Sequence, residues 1–305
     1  MTLRAVFAPL FRALAGRRDD PETVLPGREW AALLVELGLP PDTFQKALSS
    51  GSLHPHFHYR HFARPKKDGG TRSIHEPDAA LKRIQREIVA RLFAPEQCHP
   101  AAVAFQRKKS IADHVWPHAG AAVLITADIR DFFPTTGAAR VEDWWRGRVD
   151  GRAARLLKLL TTHHGSLPQG APTSPGLSNF LNRELDDRLA RRADAVGASY
   201  TRYCDDMAFS WHQGQGPPSD FANAVRATLG EFGYTLHPKK GWLVHYRRDE
   251  PEVTGVILAR NGRVRLRDDM RHAMDALAES HDPRDALRLA GYLAYEAMVI
   301  RRPGG

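Results

Sequence analysis

Four residues, Tyr203-Cys204-Asp205-Asp206, constrain this 305-residue chain more than any other stretch. β-prone and apolar residues flank them, Ala198-Ser199-Tyr200-Thr201 before and Met207-Ala208-Phe209-Ser210-Trp211 after. That pattern predicts a short hairpin with acids at its turn. Two adjacent carboxylates repel each other, so one is driven toward protonation unless a cation sits between them. Oxygen donors at such a turn suit Mg²⁺, a hard ion that keeps few protein carboxylates and shares its shell with water and substrate phosphates. The plain alternative is an acidic hairpin turn, since Asp is common in turns. A third carboxylate and a phosphate-binding surface elsewhere in the chain would favour the metal.

The third carboxylate has a candidate. Ala121 to Ala127 is a short apolar run that ends at Asp128, followed by Ile129-Arg130-Asp131-Phe132-Phe133-Pro134. A buried strand that delivers an acid at its C-terminal end is a common way to place a catalytic carboxylate; an ordinary strand-end Asp is the alternative. A phosphate-binding surface also has a candidate in Phe62 to Ile74. Asp68-Gly69-Gly70 between two β-compatible arms predicts a hairpin, with Lys66 before the turn and Arg72 after it. Cations on both arms could close on a triphosphate, or the stretch could be a solvated basic hairpin.

Around these segments the chain reads as mixed helix and strand. Residues 1–52 are expected to form helices, with Trp30, Leu33, Leu34 and Leu37 on a packed face. His54, His56, His58 and His61 follow without Cys, Asp or Glu at ligand spacing, which favours solvated or RNA-facing histidines. Pro77 is expected to open a helix with Leu81, Ile84, Ile88 and Leu92 inward. Residues 140–162 read as helical, with both Trp144 and Trp145 in the core. Leu167-Pro168-Gln169-Gly170-Ala171-Pro172-Thr173-Ser174-Pro175 is too rich in Pro and Gly for regular structure. It leads into an expected helix with Leu177, Leu181, Leu185 and Leu189 on one face. A rigid loop there would present backbone N–H groups and the Gln169 amide to a substrate. Ser219 is expected to cap a helix reaching Phe232, and a strand is expected around Trp242 to Tyr246. The tail holds two helices.

Composition narrows the function class. Lys and Arg number 44 against 35 Asp and Glu, a formal net charge of +9, which fits nucleic acid, an anionic membrane or simple solubility. No apolar run reaches the length of a membrane span. The amphipathic start, Leu3 to Leu14, lacks a cleavage site and reads as a surface helix. Cys98 and Cys204 form no metal spacing or disulfide framework, so a reducing cytoplasm is expected.

Taken in order from about Phe62 to about Ile257, these blocks resemble a bacterial reverse transcriptase, retron reverse transcriptases most closely. The resemblance is carried by Asp128-Ile129-Arg130-Asp131-Phe132-Phe133, by Leu167 to Pro175, by Tyr203-Cys204-Asp205-Asp206, and by Val253-Thr254-Gly255. It implies an α+β right-hand polymerase fold. The expected divisions are an N-terminal helical extension (1–52), fingers (53–120), a palm with an antiparallel sheet (121–257, the helices of 140–195 partly shared with the fingers) and a short helical thumb (258–305). By the same resemblance Asp128, Asp205 and Asp206 hold two Mg²⁺ ions, with Mn²⁺ as a substitute, and Lys66 and Arg72 grip the incoming dNTP. Gln169 lies beside that nucleotide. Phe133 excludes a ribose 2′-hydroxyl. Lys240, or its neighbour Lys239, helps protonate the pyrophosphate leaving group. Val253-Thr254-Gly255 neighbours the primer end.

One segment departs from the pattern: retron enzymes carry Asn-Ala-x-x-His before the first catalytic strand, and here the residues read His114-Val115-Trp116-Pro117-His118. The resemblance implies copying of a structured noncoding RNA into single-stranded DNA, with an effector protein as a further partner, no membrane partner, and a role in phage defence. Another bacterial reverse transcriptase group, such as an intron-derived or CRISPR-associated type, is the first alternative. A non-catalytic RNA-binding scaffold on the same fold is the second, and Phe133 argues against an RNA-synthesising enzyme.

Overall fold

The computed structural model describes Val35 and residues 59–65, 70–94, 96–213 and 216–303. The helices expected in residues 1–52 (Val35, which is helical, apart), the histidines at 54, 56 and 58, and Lys66 lie outside the described residues. In chain order the elements are β1 (Tyr59–Pro65), β2 (Thr71–Pro77), α1 (Ala79–Leu92), α2 (Ile111–Val115), β3 (Val123–Asp128), α3 (Phe132–Thr135), α4 (Ala138–Arg146) and α5 (Gly151–Thr161). Then follow α6 (Ser174–Leu181), α7 (Arg183–Ala195), β4 (Ser199–Tyr203), β5 (Asp206–Trp211), α8 (Phe221–Glu231), β6 (Leu243–Tyr246), β7 (Glu252–Val253), β8 (Val256–Leu258), β9 (Val264–Leu266), α9 (Asp268–Ala278) and α10 (Pro283–Ile300). The chain is α+β, with antiparallel sheets. It divides into two compact units, residues 1–97 with 133–181 and residues 98–132 with 182–305. No helix among the described residues is long and apolar enough to cross a membrane.

In the first unit β1 and β2 pair antiparallel, from Tyr59 opposite Pro77 to Pro65 opposite Thr71, so the expected hairpin arms are present. Helix α1 starts two residues later than Pro77 suggests. Asp78 is its cap, accepting a hydrogen bond from the Leu81 N–H at 2.8 Å, which satisfies one of the donors left open at a helix start. Leu81, Ile84, Ile88 and Leu92 are buried as their spacing requires. Gln85 shares that face and is fully buried because its amide donates to the Leu160 carbonyl at 2.8 Å. The helical stretch expected at 140–162 is two helices. Asp150 restarts the chain by accepting from the N–H groups of Arg152 and Ala153. Trp145 is fully buried, whereas Trp144 is half-buried and stacks its ring on Phe180 at 5.4 Å.

In the second unit a four-stranded sheet runs in the order β4-β5-β3-β6. Residues 199–211 form the predicted hairpin, and β5 also lies antiparallel against β3. Behind the sheet, Leu124 and Ala208 pack with Val253, Val256, Leu266, Met274 and Val299 in one buried cluster. That cluster includes a second sheet, β7-β8-β9, which the sequence pattern does not announce. Strands of two or three residues carry too little alternation to be read. Helix α8 is capped at Asp220 rather than Ser219, and its side chain makes no capping bond. The helix expected to run from Leu177 past Leu189 breaks at Asn182. That residue is fully buried and donates its amide to the Tyr234 hydroxyl at 3.0 Å, a tertiary bond the apolar spacing cannot reveal.

Candidate active site

The second unit brings the three acids of the sequence reading to one end of its sheet. Strand β3 ends at Asp128, which stands opposite Asp206, the first residue of β5; Asp206 in turn stands opposite Tyr203 across the hairpin. Cys204 and Asp205 are therefore the two loop residues of a tight turn. Cys204 has φ +61°, a position normally given to glycine in such turns. The turn is fastened to β3 by the Ile129 N–H, which donates to the Asp205 carbonyl at 3.0 Å. Asp128 is fastened from the other side, its carbonyl accepting from the His237 N–H at 2.8 Å.

Electrostatics at this end of the sheet are those of crowded acids. Burial, then the charges of Asp205 and Asp128, push the Asp206 carboxyl up to about 7, against the Thr254 hydroxyl and the Lys240 ammonium, which hold it down. Thr254 donates to Asp206 Oδ2 at 3.2 Å and has a left-handed backbone, φ +47°, at the turn between β7 and β8. The triplet Val253-Thr254-Gly255 thus reaches Asp206 through its threonine. Lys240 is exposed, on a turn whose backbone N–H groups at Lys239 and Lys240 donate to the His237 ring at 3.2 and 3.3 Å. Among the described residues, no three His, Cys, Asp or Glu side chains are drawn together into a metal-binding arrangement. The donor set nonetheless fits a hard divalent cation: all-oxygen ligands, and a mutual repulsion that such an ion would remove.

The first unit holds the other expected residues. Arg72 lies exposed on β2, opposite Arg64. His61 on β1 hydrogen-bonds Ser73 at 2.7 Å. The Gln169 carbonyl accepts from the His75 N–H at 2.8 Å, so the Pro- and Gly-rich loop is tied to β2 by its backbone. Gly170 is required there: its φ is +119°, and a Cβ would come within 2.9 Å of Ile74 and 3.0 Å of the His75 carbonyl. Ser174 closes the loop by donating to the Pro168 carbonyl at 2.7 Å. Phe133 is half-buried in α3, at the point where the chain passes into this unit.

Residues 64–258, more than half of the chain, match the family model described as Reverse transcriptase (RNA-dependent DNA polymerase). The chain belongs to the reverse transcriptase family. It is similar to the Retron Mx65 reverse transcriptase of Myxococcus xanthus, 34% identical over 271 residues that cover 79% of this chain and 61% of the relative. It is also similar to the Retron Mx162 reverse transcriptase of the same organism, 32% identical over 234 residues (68% and 48%). The Retron Ec73 reverse transcriptase of Escherichia coli is 29% identical over 252 residues (75% and 79%). The chain spans about half to two thirds of the length of the two Myxococcus relatives.

Within this reverse transcriptase chain the structure gives contacts to residues for which the motifs assign no role. His118, the histidine retained from the Asn-Ala-x-x-His pattern, is fully buried behind the hairpin, 2.7 Å from both Thr201 Oγ1 of β4 and Ser210 Oγ of β5. His114, standing where the pattern has Asn, reaches the same Thr201 hydroxyl at 2.7 Å. On the far face of β4, Arg202 forms a fully buried ion pair with Asp186 of α7. Nothing local marks Arg202 as a core residue, since arginine is almost never fully buried unless paired.

Proposed function

We propose that this chain is an RNA-directed DNA polymerase of the retron type, copying a structured noncoding RNA into single-stranded DNA in the cytoplasm. Family membership and the register that sets Asp128 opposite Asp206 support this reading most directly. Asp128, Asp205 and Asp206 would hold two Mg²⁺ ions, for which Mn²⁺ could substitute. When bound, such ions would lower the pKa of a 3′-hydroxyl and offset the negative charge that develops on the phosphate and leaving oxygens in an in-line displacement.

The protein's own contribution is positional. The β3–β5 register fixes the spacing of the two strand-borne acids, and the Ile129–Asp205 bond holds the turn at that height. Thr254 orients one Asp206 oxygen, and Lys240, of the two neighbouring lysines, is the one whose charge Asp206 feels. That placement suits a donor to the departing pyrophosphate. In the first unit, Arg72 together with Lys66 is assigned to the triphosphate, the Gln169 amide to the nucleotide, and Phe133 to exclusion of a ribose. In right-hand terms, we assign β1, β2 and their helices to fingers, the β4-β5-β3-β6 sheet to a palm, and α9 and α10 to a short thumb. A defence role, with an effector partner, follows only if the gene lies beside a noncoding RNA locus.

The decisive experiment incubates purified protein with primed RNA, Mg²⁺ and labelled dNTPs. Wild type is expected to extend the primer, and an Asp205→Ala, Asp206→Ala double variant to lose incorporation by at least about four orders of magnitude, as removal of an essential catalytic unit does. Equal incorporation by the two proteins would sink the assignment.

A further inference from the structure

Arg202 carries a buried charge that reaches the acidic turn without belonging to it. Its side chain and that of Asp186 both have no exposed surface. The guanidinium spends its fork on the carboxylate, Nε to Oδ1 at 2.7 Å and Nη2 to Oδ2 at 2.6 Å. Its remaining arm, Nη1, donates to the Cys204 carbonyl at 2.8 Å. The Arg202 backbone is pinned as well, its N–H donating to the Ala101 carbonyl at 2.7 Å and its carbonyl accepting from the Val103 N–H at 2.9 Å. Asp186 is held in turn by the Tyr200 hydroxyl at 2.9 Å. The ring of Phe132, four residues beyond Asp128, lies 5.4 Å from the guanidinium.

Stability alone is a weak reason for such a pair. Burying two charges costs several kcal/mol, and an apolar pair of similar volume often serves the fold as well or better. What an apolar pair cannot do is grip a backbone carbonyl. The carbonyl gripped here belongs to Cys204, whose left-handed φ a non-glycine residue adopts only when its surroundings hold it there. The peptide that follows it carries Asp205, and Asp206 is next. Resting on the polymerase reading above, we infer that Arg202, anchored on Asp186, is a positioning residue that fixes the Cys204 peptide and thereby sets the spacing of Asp205 and Asp206 for metal binding. Lysine cannot replace it, because one ammonium on a flexible stem cannot fork onto a carboxylate and also hold the carbonyl.

Two variants of the full chain test this: Arg202→Lys, which keeps the charge, and Arg202→Met with Asp186→Asn, which removes both charges and leaves Tyr200 an acceptor. Each is read by thermal melting, by Mn²⁺ binding to the substrate-free protein through water-proton relaxation, and by single-turnover primer extension over a range of dNTP concentrations. Folded variants are expected to bind Mn²⁺ about tenfold more weakly and to extend roughly a hundredfold more slowly with KM for dNTP little changed, the scale of a displacement near 1 Å. A folded variant with wild-type Mn²⁺ binding and wild-type rate overturns the inference. If neither variant folds, the pair is a folding determinant and the positioning role falls. A wild-type protein that extends no primer sinks the polymerase reading instead; there, Mn²⁺ binding that is unchanged in the variants would still count against Arg202.

Discussion

Asp206 shows how one side chain can be written in the sequence while its state is set by its neighbours. Its adjacency to Asp205 guarantees repulsion, but the largest contribution to its raised pKa is burial, and the third comes from Asp128, 78 positions earlier in the chain. Thr254 acts at this scale. Replacing it with Val removes a donor to a carboxylate, and the expected result is Mn²⁺ binding weakened about three- to tenfold, the scale of a typical net hydrogen bond; isothermal titration of the free protein checks it. Phe133 makes a separate prediction. Phe133→Ala should admit rNTPs into the extended strand, measured as the ratio of rNTP to dNTP incorporation, and an unchanged ratio would remove the proposed exclusion of ribose.

At the scale of elements, the acidic hairpin is braced by buried polar groups rather than by apolar packing alone. Thr201 faces His114 and His118, while Tyr200 and Arg202 face Asp186. Burial, then the Arg202 charge, lowers the His114 pKa to about 3, and burial, then the charges of His114 and His212, holds His118 well below its usual value. Both histidines are neutral in the folded protein, so below pH 6.5 the unfolded chain binds protons that the native one does not. Stability is therefore complete above pH 6.5 and falls as the pH drops from there toward about 3, by about 1.4 kcal/mol per pH unit for each histidine. Urea denaturation across that window should show the slope, and His114→Asn should remove close to one histidine's share. The pattern His-x-x-x-His was plain in the sequence. Its use as a brace was not, because the partners lie 83 to 92 positions away.

For the whole molecule, the formal charge of +9 bears on partners more than on fold. If the chain binds its RNA through some six phosphates, raising salt from 50 to 200 mM should weaken binding on the order of 10²–10³-fold, and filter binding across that range reads the slope. A flat salt response would speak against binding through phosphate contacts. Sequence by itself determined what repeats locally: the acidic hairpin, the strand ending at Asp128, the loop at Gln169 and the apolar face of α1, since each is encoded within a dozen residues by alternation, helical spacing or turn chemistry. Tertiary structure alone decided the break at Asn182, the burial of Arg202, the small β7-β8-β9 sheet and the register that sets Asp128 across from Asp206. The break at Asn182 and the Asp128–Asp206 register depend on partners 52 and 78 positions away, and the burial of Arg202 on a carboxylate in another element. Such bonds leave no periodic trace in the segments they join, and the strands of β7-β8-β9 are too short to show alternation.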